Sequence, residues 1–246
     1  MRMRSSLLSA LLPALLICVI AGEQEAPTPI AHWRMDAVVD GGVADVTGNG
    51  HDATVGPEGV ELKTAPSPCG SGLLFGGNDQ AAYLQVGNSD DLRAPAQITA
   101  MAWIKPANRG IACEIVGNKG DKSGDPPWPG WRLRYNWQML SFEIGGPGGF
   151  QHRLTSAGYS LPVGHWAHVA ATYDGQTMRL YINCTVAAEA DVPGSILPKE
   201  RWPIFIGNYS GRKNAYAMDG ALDEVKVFDR ALGEEEVFAA AIAEME

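Results

Sequence analysis

The chain has 246 residues, 46% of them hydrophobic and 19% charged, with 29 glycines, 16 prolines and a formal net charge of −9. That length holds one large domain or two small ones, and the composition excludes bulk disorder. The acidic balance excludes nucleic acid and anionic membrane as natural partners, and it suits calcium, which takes oxygen ligands.

Residues 1–22 read as a signal peptide. Arg2 and Arg4 precede the apolar run Leu7–Ala21, which is fifteen residues long and ends on Val19, Ile20 and Ala21. A membrane span needs about 20 residues, so removal is expected rather than anchoring, with no membrane span in the mature chain. Residues 23–29, EQEAPTP, form a flexible lead-in, and 30–246 form one domain, expected to be secreted, periplasmic or on the cell surface. Without Arg2 and Arg4 the chain keeps 17 basic and 28 acidic residues, a net charge of −11. Cys69, Cys113 and Cys184 then remain. They allow at most one intrachain disulfide, whose partners the spacing does not choose, and the absence of CxxC argues against zinc.

From residue 30 onward, short runs rich in β-branched and aromatic residues recur between Gly, Pro, Asn and Asp. They are Ile30–Met35, Leu73–Phe75, Ala81–Val86, Ile98–Lys105, Glu114–Gly117, Trp131–Asn136, Met139–Ile144, Phe150–Thr155, Trp166–Tyr173, Met178–Asn183, Val186–Ala190, Ile204–Ile206 and Ala221–Phe228. Asp174-Gly175 is a hairpin turn signal. Only Leu232–Met245 reads as helix, with Glu234, Glu235 and Glu236 in its first turn, where the helix dipole favours negative charge. Many short strands with no interleaved helix predict an all-β, two-sheet antiparallel jelly-roll sandwich with a short C-terminal helix.

In the last run, Asp223 falls in phase with Val225 and Val227, which sets a carboxylate on an apolar face. Such a group must be hydrogen-bonded, paired with a cation or bound to a metal.

The strand phases also gather a polar face. Arg132 and Arg134 alternate with Leu133 and Tyr135, Glu143 with Phe142 and Ile144, and Arg179 and Tyr181 with Leu180 and Ile182. Arg153 and His168 extend the set. Guanidinium groups recognise carboxylates and sulfates bidentately, so this face is a candidate surface for an acidic glycan, and equally a solvated face of internal ion pairs. Trp128, in the loop PPWPGW, is a candidate stacking platform for a neutral sugar.

No strand sets two acids on one face within two residues, as glycoside hydrolysis would need. Neither a nucleophile elbow nor an HExxH pattern is present. No catalytic residue is assigned, and the chain reads as a non-enzyme.

Seven segments in order carry a resemblance: HWRMD, DVTGNGHDATV, GSGLLFGG, ITAMAWIKP, HWAHVAATYDGQTMRLYIN, PIFIGN and GALDEVKVFDRALGEEEV. Together they resemble the laminin G-like, concanavalin A-like lectin/glucanase superfamily, in particular the LamG-type jelly-roll domain of bacterial exported proteins. The resemblance covers about residues 30–242. It implies a non-catalytic lectin-like module binding a glycan or a surface protein, or a structural and adhesive domain. It also implies a structural calcium shared by Asp45 and Asp223, to which Asn49 would add an amide oxygen; Asp36, Asp40 and Asp52 are nearby acids that could contribute and are better explained by turn chemistry. Phe75-Gly76-Gly77 departs from the family's F-D-G, which removes one expected ligand.

Overall fold

A computed structural model describes residues 25–245, except 88, 94–95, 111, 120–127, 147–150, 159, 199–201 and 210–215. The expected signal peptide lies outside the described residues. Among those described, sixteen strands form two eight-stranded antiparallel sheets.

The first sheet runs β14 (Thr185–Asp191), β13 (Thr177–Ile182), β12 (Ala167–Tyr173), β7 (Ile98–Pro106), β16 (Asp219–Phe228), β5 (Gly70–Gly76) and β4 (Lys63–Ser67). β1 (Ala31–Trp33) also pairs with β16. The second runs β11 (Gln151–Thr155), β10 (Met139–Gly145), β9 (Trp131–Asn136), β8 (Ala112–Gly117), β15 (Ile204–Ile206), β6 (Tyr83–Val86), β3 (Ala53–Gly56) and β2 (Gly42–Val43). This is the expected all-β jelly-roll sandwich. β12 and β13 meet at Asp174-Gly175, with Gly175 at φ 90°. The β9–β10 hairpin turns on Trp137 and Gln138, both with positive φ.

The alternating apolar residues of both sheets fill the space between them. Trp33, Leu73, Leu84, Trp131, Leu133, Tyr135, Phe142, Tyr173 and Leu180 share one core. Burying two indoles requires partners for their N–H groups. Trp33 Nε1 donates to His51 O at 2.8 Å and Trp131 Nε1 to Leu92 O at 2.9 Å.

Two four-residue helices, α1 (Gly77–Gln80) and α2 (Asp90–Arg93), are turns within the connections. The C-terminal helix α3 (Glu234–Ile242) lies on the outside of the first sheet. Val237 and Ala240 pack there against Met101, Ala170, Tyr181, Phe228 and Leu232. Lys226 Nζ donates to Ala240 O at 3.0 Å, which ties the helix to β16.

The expected phase of β16 is corrected. Glu224 has φ 49°, and the register against β7 shifts between Asp223 and Lys226. This bulge places an extra residue in the strand. Leu222, Val225 and Val227 therefore face the core, and Asp223 does not share their face. It is nonetheless fully buried, against Ser67. Gly72 makes room for it, since a Cβ there would lie 3.1 Å from Asp223 Cβ and 2.8 Å from Leu222 O.

Candidate functional site

Asp223 meets a hydroxyl and an amide. Ser67 Oγ donates to its Oδ2 at 2.5 Å, and the Glu224 N–H donates to Oδ1 at 2.8 Å. Burial, with the Glu224 charge adding to it, pushes its carboxyl up to about 7 against the pull of the Ser67 hydrogen bond.

Asp45 performs turn chemistry. Its Oδ1 accepts the N–H of His32 at 3.0 Å and of Thr47 at 3.1 Å, and its Oδ2 accepts the N–H of His51 at 3.2 Å. The Thr47 hydroxyl lies 2.8 Å from both oxygens. Burial raises the Asp45 carboxyl, but these hydrogen bonds outweigh it and hold the group below its ordinary range. Asn49 Nδ2 donates to Ile30 O at 2.9 Å. His32 turns its amide to Asp45 and accepts the Val46 N–H at 3.0 Å. The turn thus docks on the backbone of β1 at His32. The two carboxylates have different hydrogen-bond partners, Asp45 in its own turn and at His32, and Asp223 at Ser67 and Glu224.

Among the described residues, a different trio could approach a metal. His32, Glu224 and Glu244 place ligand atoms within 4.8 Å of one another. Cations of the chain already fill it. Lys226 Nζ lies 2.9 Å from the same Glu224 oxygen that His32 Nε2 meets at 2.7 Å, and Arg34 pairs with Glu244. Asp36, Asp40 and Asp52 line a separate open depression of about 470 Å³ with Val39 and Val46.

The predicted arginine face divides. Arg132 and Arg134 on β9 do share the outer face of the second sheet with Glu143 on β10 and Arg153 on β11. Arg179 and Tyr181 do not join them, because β13 belongs to the first sheet, whose outer face looks the opposite way. Arg179 pairs there with Glu189 at 2.5 Å and Asp174 at 3.4 Å. Tyr181 is buried beneath α3. His168 is buried on β12 beside Trp103, and burial drives its imidazole down to about 3.

On the second sheet the charges are buried rather than solvated, with Glu143 at 0% and Glu114 at 1% exposure. Arg132 grips Glu143 Oε2 through Nε at 3.0 Å and Nη2 at 2.8 Å. Gly117, opposite Arg132 on β8, carries no side chain to obstruct it: a Cβ there would fall 2.4 Å from Arg132 Cβ. Arg153 Nε reaches Glu143 Oε1 at 2.9 Å and Arg134 Nη1 reaches it at 3.3 Å. Burial raises the Glu143 carboxyl, and the three guanidiniums outweigh it and hold the group low.

The next row across the sheet is Glu114 on β8, Arg134 on β9 and Ser141 on β10, direct cross-strand neighbours. Among the described residues, Glu114 Oε2, Arg134 Nε and Nη2, and Ser141 Oγ are buried without a hydrogen-bond partner. Glu114 Oε2 stands 3.7 Å from Arg134 Nε, inside ion-pair range and beyond hydrogen bonding. Burial pushes Glu114 up to about 7, against the pull of Arg132 and Arg134. Sequence reasoning placed Glu114 on a strand and gave it no role, although its alternation with Cys113 and Ile115 assigns it to this face.

Aromatic rings rim the rows. Tyr209 lies 5.1 Å from the Arg132 guanidinium and Tyr216 lies 4.6 Å from that of Arg134. The two rings meet edge to face, and Phe205 does the same with Tyr83 and Trp202. Trp128 stands at the edge, with Lys119 Nζ 5.3 Å from its ring and 2.9 Å from its carbonyl. Burial brings the Lys119 ammonium down to about 7.

The fold has known relatives in structure. The binding domain of Paraclostridial Mosquitocidal Protein 1 superposes with a TM-score of 0.65 at 16% identity, over 85% of this chain and 51% of that one. Domain 4 of AbnA, a GH43 extracellular arabinanase from Geobacillus stearothermophilus solved with arabinotriose, gives 0.66 at 20% identity, over 89% of this chain and 100% of that one. Botulinum neurotoxin type C, whose cell entry depends upon interaction with two ganglioside molecules, gives 0.61 at 13% identity, over 89% and 52%. The chain spans about half the length of the two toxin chains. No curated protein matches the sequence. The profile of the Concanavalin A-like lectin/glucanases superfamily matches residues 75–238. With its two antiparallel sheets and that match, the chain belongs to the concanavalin A-like lectin/glucanases superfamily.

Proposed function

We propose that the chain is an exported, non-catalytic, lectin-like module that binds a glycan on the outer face of the second sheet. The observation that carries this reading is the cross-strand row Glu114–Arg134–Ser141. A buried polar atom left without a partner costs about 1–3 kcal/mol, and native structures leave few of them. Gathering several in one row, rimmed by Tyr209 and Tyr216, is sensible where a polyhydroxylated ligand supplies the missing hydrogen bonds. Sugars place an apolar ring face on an aromatic side chain while their hydroxyls reach polar groups. Tyr216 is 47% exposed and available for such stacking.

Two further facts support the reading. Arabinotriose accompanies a neighbour of the same fold and similar extent. The row's described members, a carboxyl, a guanidinium and a hydroxyl, are hydrogen-bonding groups suited to recognition. Export rests on Arg2, Arg4 and the apolar run that follows them.

The test is a glycan array followed by calorimetry on hits, with the wild-type chain from residue 23 and with Tyr216→Ala and Ser141→Ala. Saturable binding that Tyr216→Ala weakens about tenfold supports the site, in line with about 0.5–1.5 kcal/mol for an aromatic contact. Absence of binding to every glycan, or binding untouched by both substitutions, would remove the site from this face.

A further inference from the structure

We propose that the glycan carries a carboxylate, and that Arg134 selects it through the Nε–Nη2 edge of its guanidinium. This rests on the glycan-binding reading above and names the ligand class that the reading leaves open.

Three observations converge. First, Nε and Nη2 form one edge of the guanidinium plane, the edge that receives a carboxylate in two parallel hydrogen bonds. Both atoms are buried and without a hydrogen-bond partner among the described residues, with Glu114 Oε2 only in ion-pair range of Nε at 3.7 Å, whereas Nη1 is engaged by Glu143 at 3.3 Å. Second, Tyr216 covers the flat face of the same group at 4.6 Å, which leaves the in-plane edge for hydrogen bonding.

Third, positive charge is in surplus. Among the described residues, Arg132, Arg134 and Arg153 converge on the single carboxylate of Glu143, and Glu114 is the other acid in ion-pair range of them. Because burial lifts Glu114 to about 7, it offsets less than a full charge near neutrality. A buried surplus of guanidinium is costly until an anion arrives. A neutral sugar would satisfy Ser141 and Glu114 and leave that surplus in place. A carboxylated sugar satisfies both, with its hydroxyls on Ser141 Oγ and Glu114 Oε2 and its carboxylate on Arg134. This selectivity belongs to an otherwise acidic chain of net charge −9, so it is local to the row and not a property of the whole surface.

The experiment uses matched probes: 3′-sialyllactose with lactose, tetragalacturonate with its methyl ester, and a sulfated galactan fragment with its desulfated form. Each is titrated against the wild type, Arg134→Lys and Arg134→Gln. The wild type is expected to prefer a carboxylated member over its neutral counterpart by about tenfold to a hundredfold, the range for hydrogen bonds to charged groups. Arg134→Lys keeps the charge and loses the fork, and is expected to reduce that preference to about threefold or less. The thermal midpoint of each variant, measured alongside, separates this loss from misfolding. A neutral member bound as tightly as its acid would overturn the carboxylate and leave the glycan reading standing. Preference that follows sulfate would overturn it likewise. Binding to no member of any pair would overturn both.

Discussion

Arg132 holds Glu143 by two hydrogen bonds to one oxygen, and both side chains are buried on the outer face of their sheet. Breaking a buried pair from one side leaves the other charge uncompensated, which costs about 3–5 kcal/mol. Arg134 and Arg153 remain beside Glu143, so Arg132→Ala is expected at the lower end, about 3 kcal/mol by urea unfolding. Glu143 is depressed in the folded state. Its contribution is therefore complete above the unfolded value, about 4.3, and is lost as pH falls through the lower folded value. Glu143→Gln should flatten the acid limb of the stability curve. An unchanged acid limb would show that Glu143 is not ionised in the fold.

Asp223 works in the opposite sense. Its folded carboxyl is raised to about 7, while an unfolded Asp ionises near 3.9. Between those values the unfolded chain releases a proton that the folded chain keeps, so stability falls as pH rises and levels off above about 7. Asp223→Asn removes that slope. Its midpoint, compared with wild type from pH 4 to pH 8, should improve steadily and then plateau. A difference that is flat or reversed would mean an ionised Asp223 with a cation beside it.

The turn at Asp45 gives a direct test of the metal. Its two oxygens already accept three backbone N–H groups and the Thr47 hydroxyl. Asp45→Ala should cost about 2 kcal/mol, as the loss of a strong side-chain cap does. The wild-type midpoint should be the same in excess chelator and in millimolar calcium. A calcium-dependent rise that Asp45→Ala abolishes would restore the ion to this turn.

Cys69, Cys113 and Cys184 are all free. Burial pushes Cys69 and Cys113 up to about 12 and Cys184 up to about 11. The thiolate is the reactive form. At pH 8 the native protein should resist iodoacetamide, and the denatured chain should take one label on each of the three. A mass two hydrogens lower, with one label, would reveal a disulfide.

The apolar strands were legible because their side chains alternate strongly. Trp131–Asn136 and Ile204–Ile206 are found at the expected bounds. Lys63–Ser67, with Pro66 and only one apolar residue besides, is an edge strand that no alternation marks, and Gly42–Val43 is too short to show any. Alternation also told correctly that Arg132, Arg134 and Glu143 share a face. It could not tell which sheet β13 joins, so it wrongly added Arg179 and Tyr181. The bulge at Glu224 depends on a positive φ at a residue with a side chain, which no local pattern announces. Tyr209 and Tyr216 lie outside the strands, and only the fold brings their rings over Arg132 and Arg134.

β16 is the last strand in the chain, yet it lies inside its sheet. It pairs with β7 along one edge and with β5 and β1 along the other. The His32–Glu224 pair joins residues 192 apart in sequence. Until residue 219 and those after it are present, β1 has no strand to join, β5 has only β4, and β7 is open along one edge. Closing the first sheet therefore waits on residues 219–228, and that non-local pairing is a slow step. β16 is thus the seam of the first sheet, and without it the group β14-β13-β12-β7 and the pair β5-β4 stay apart.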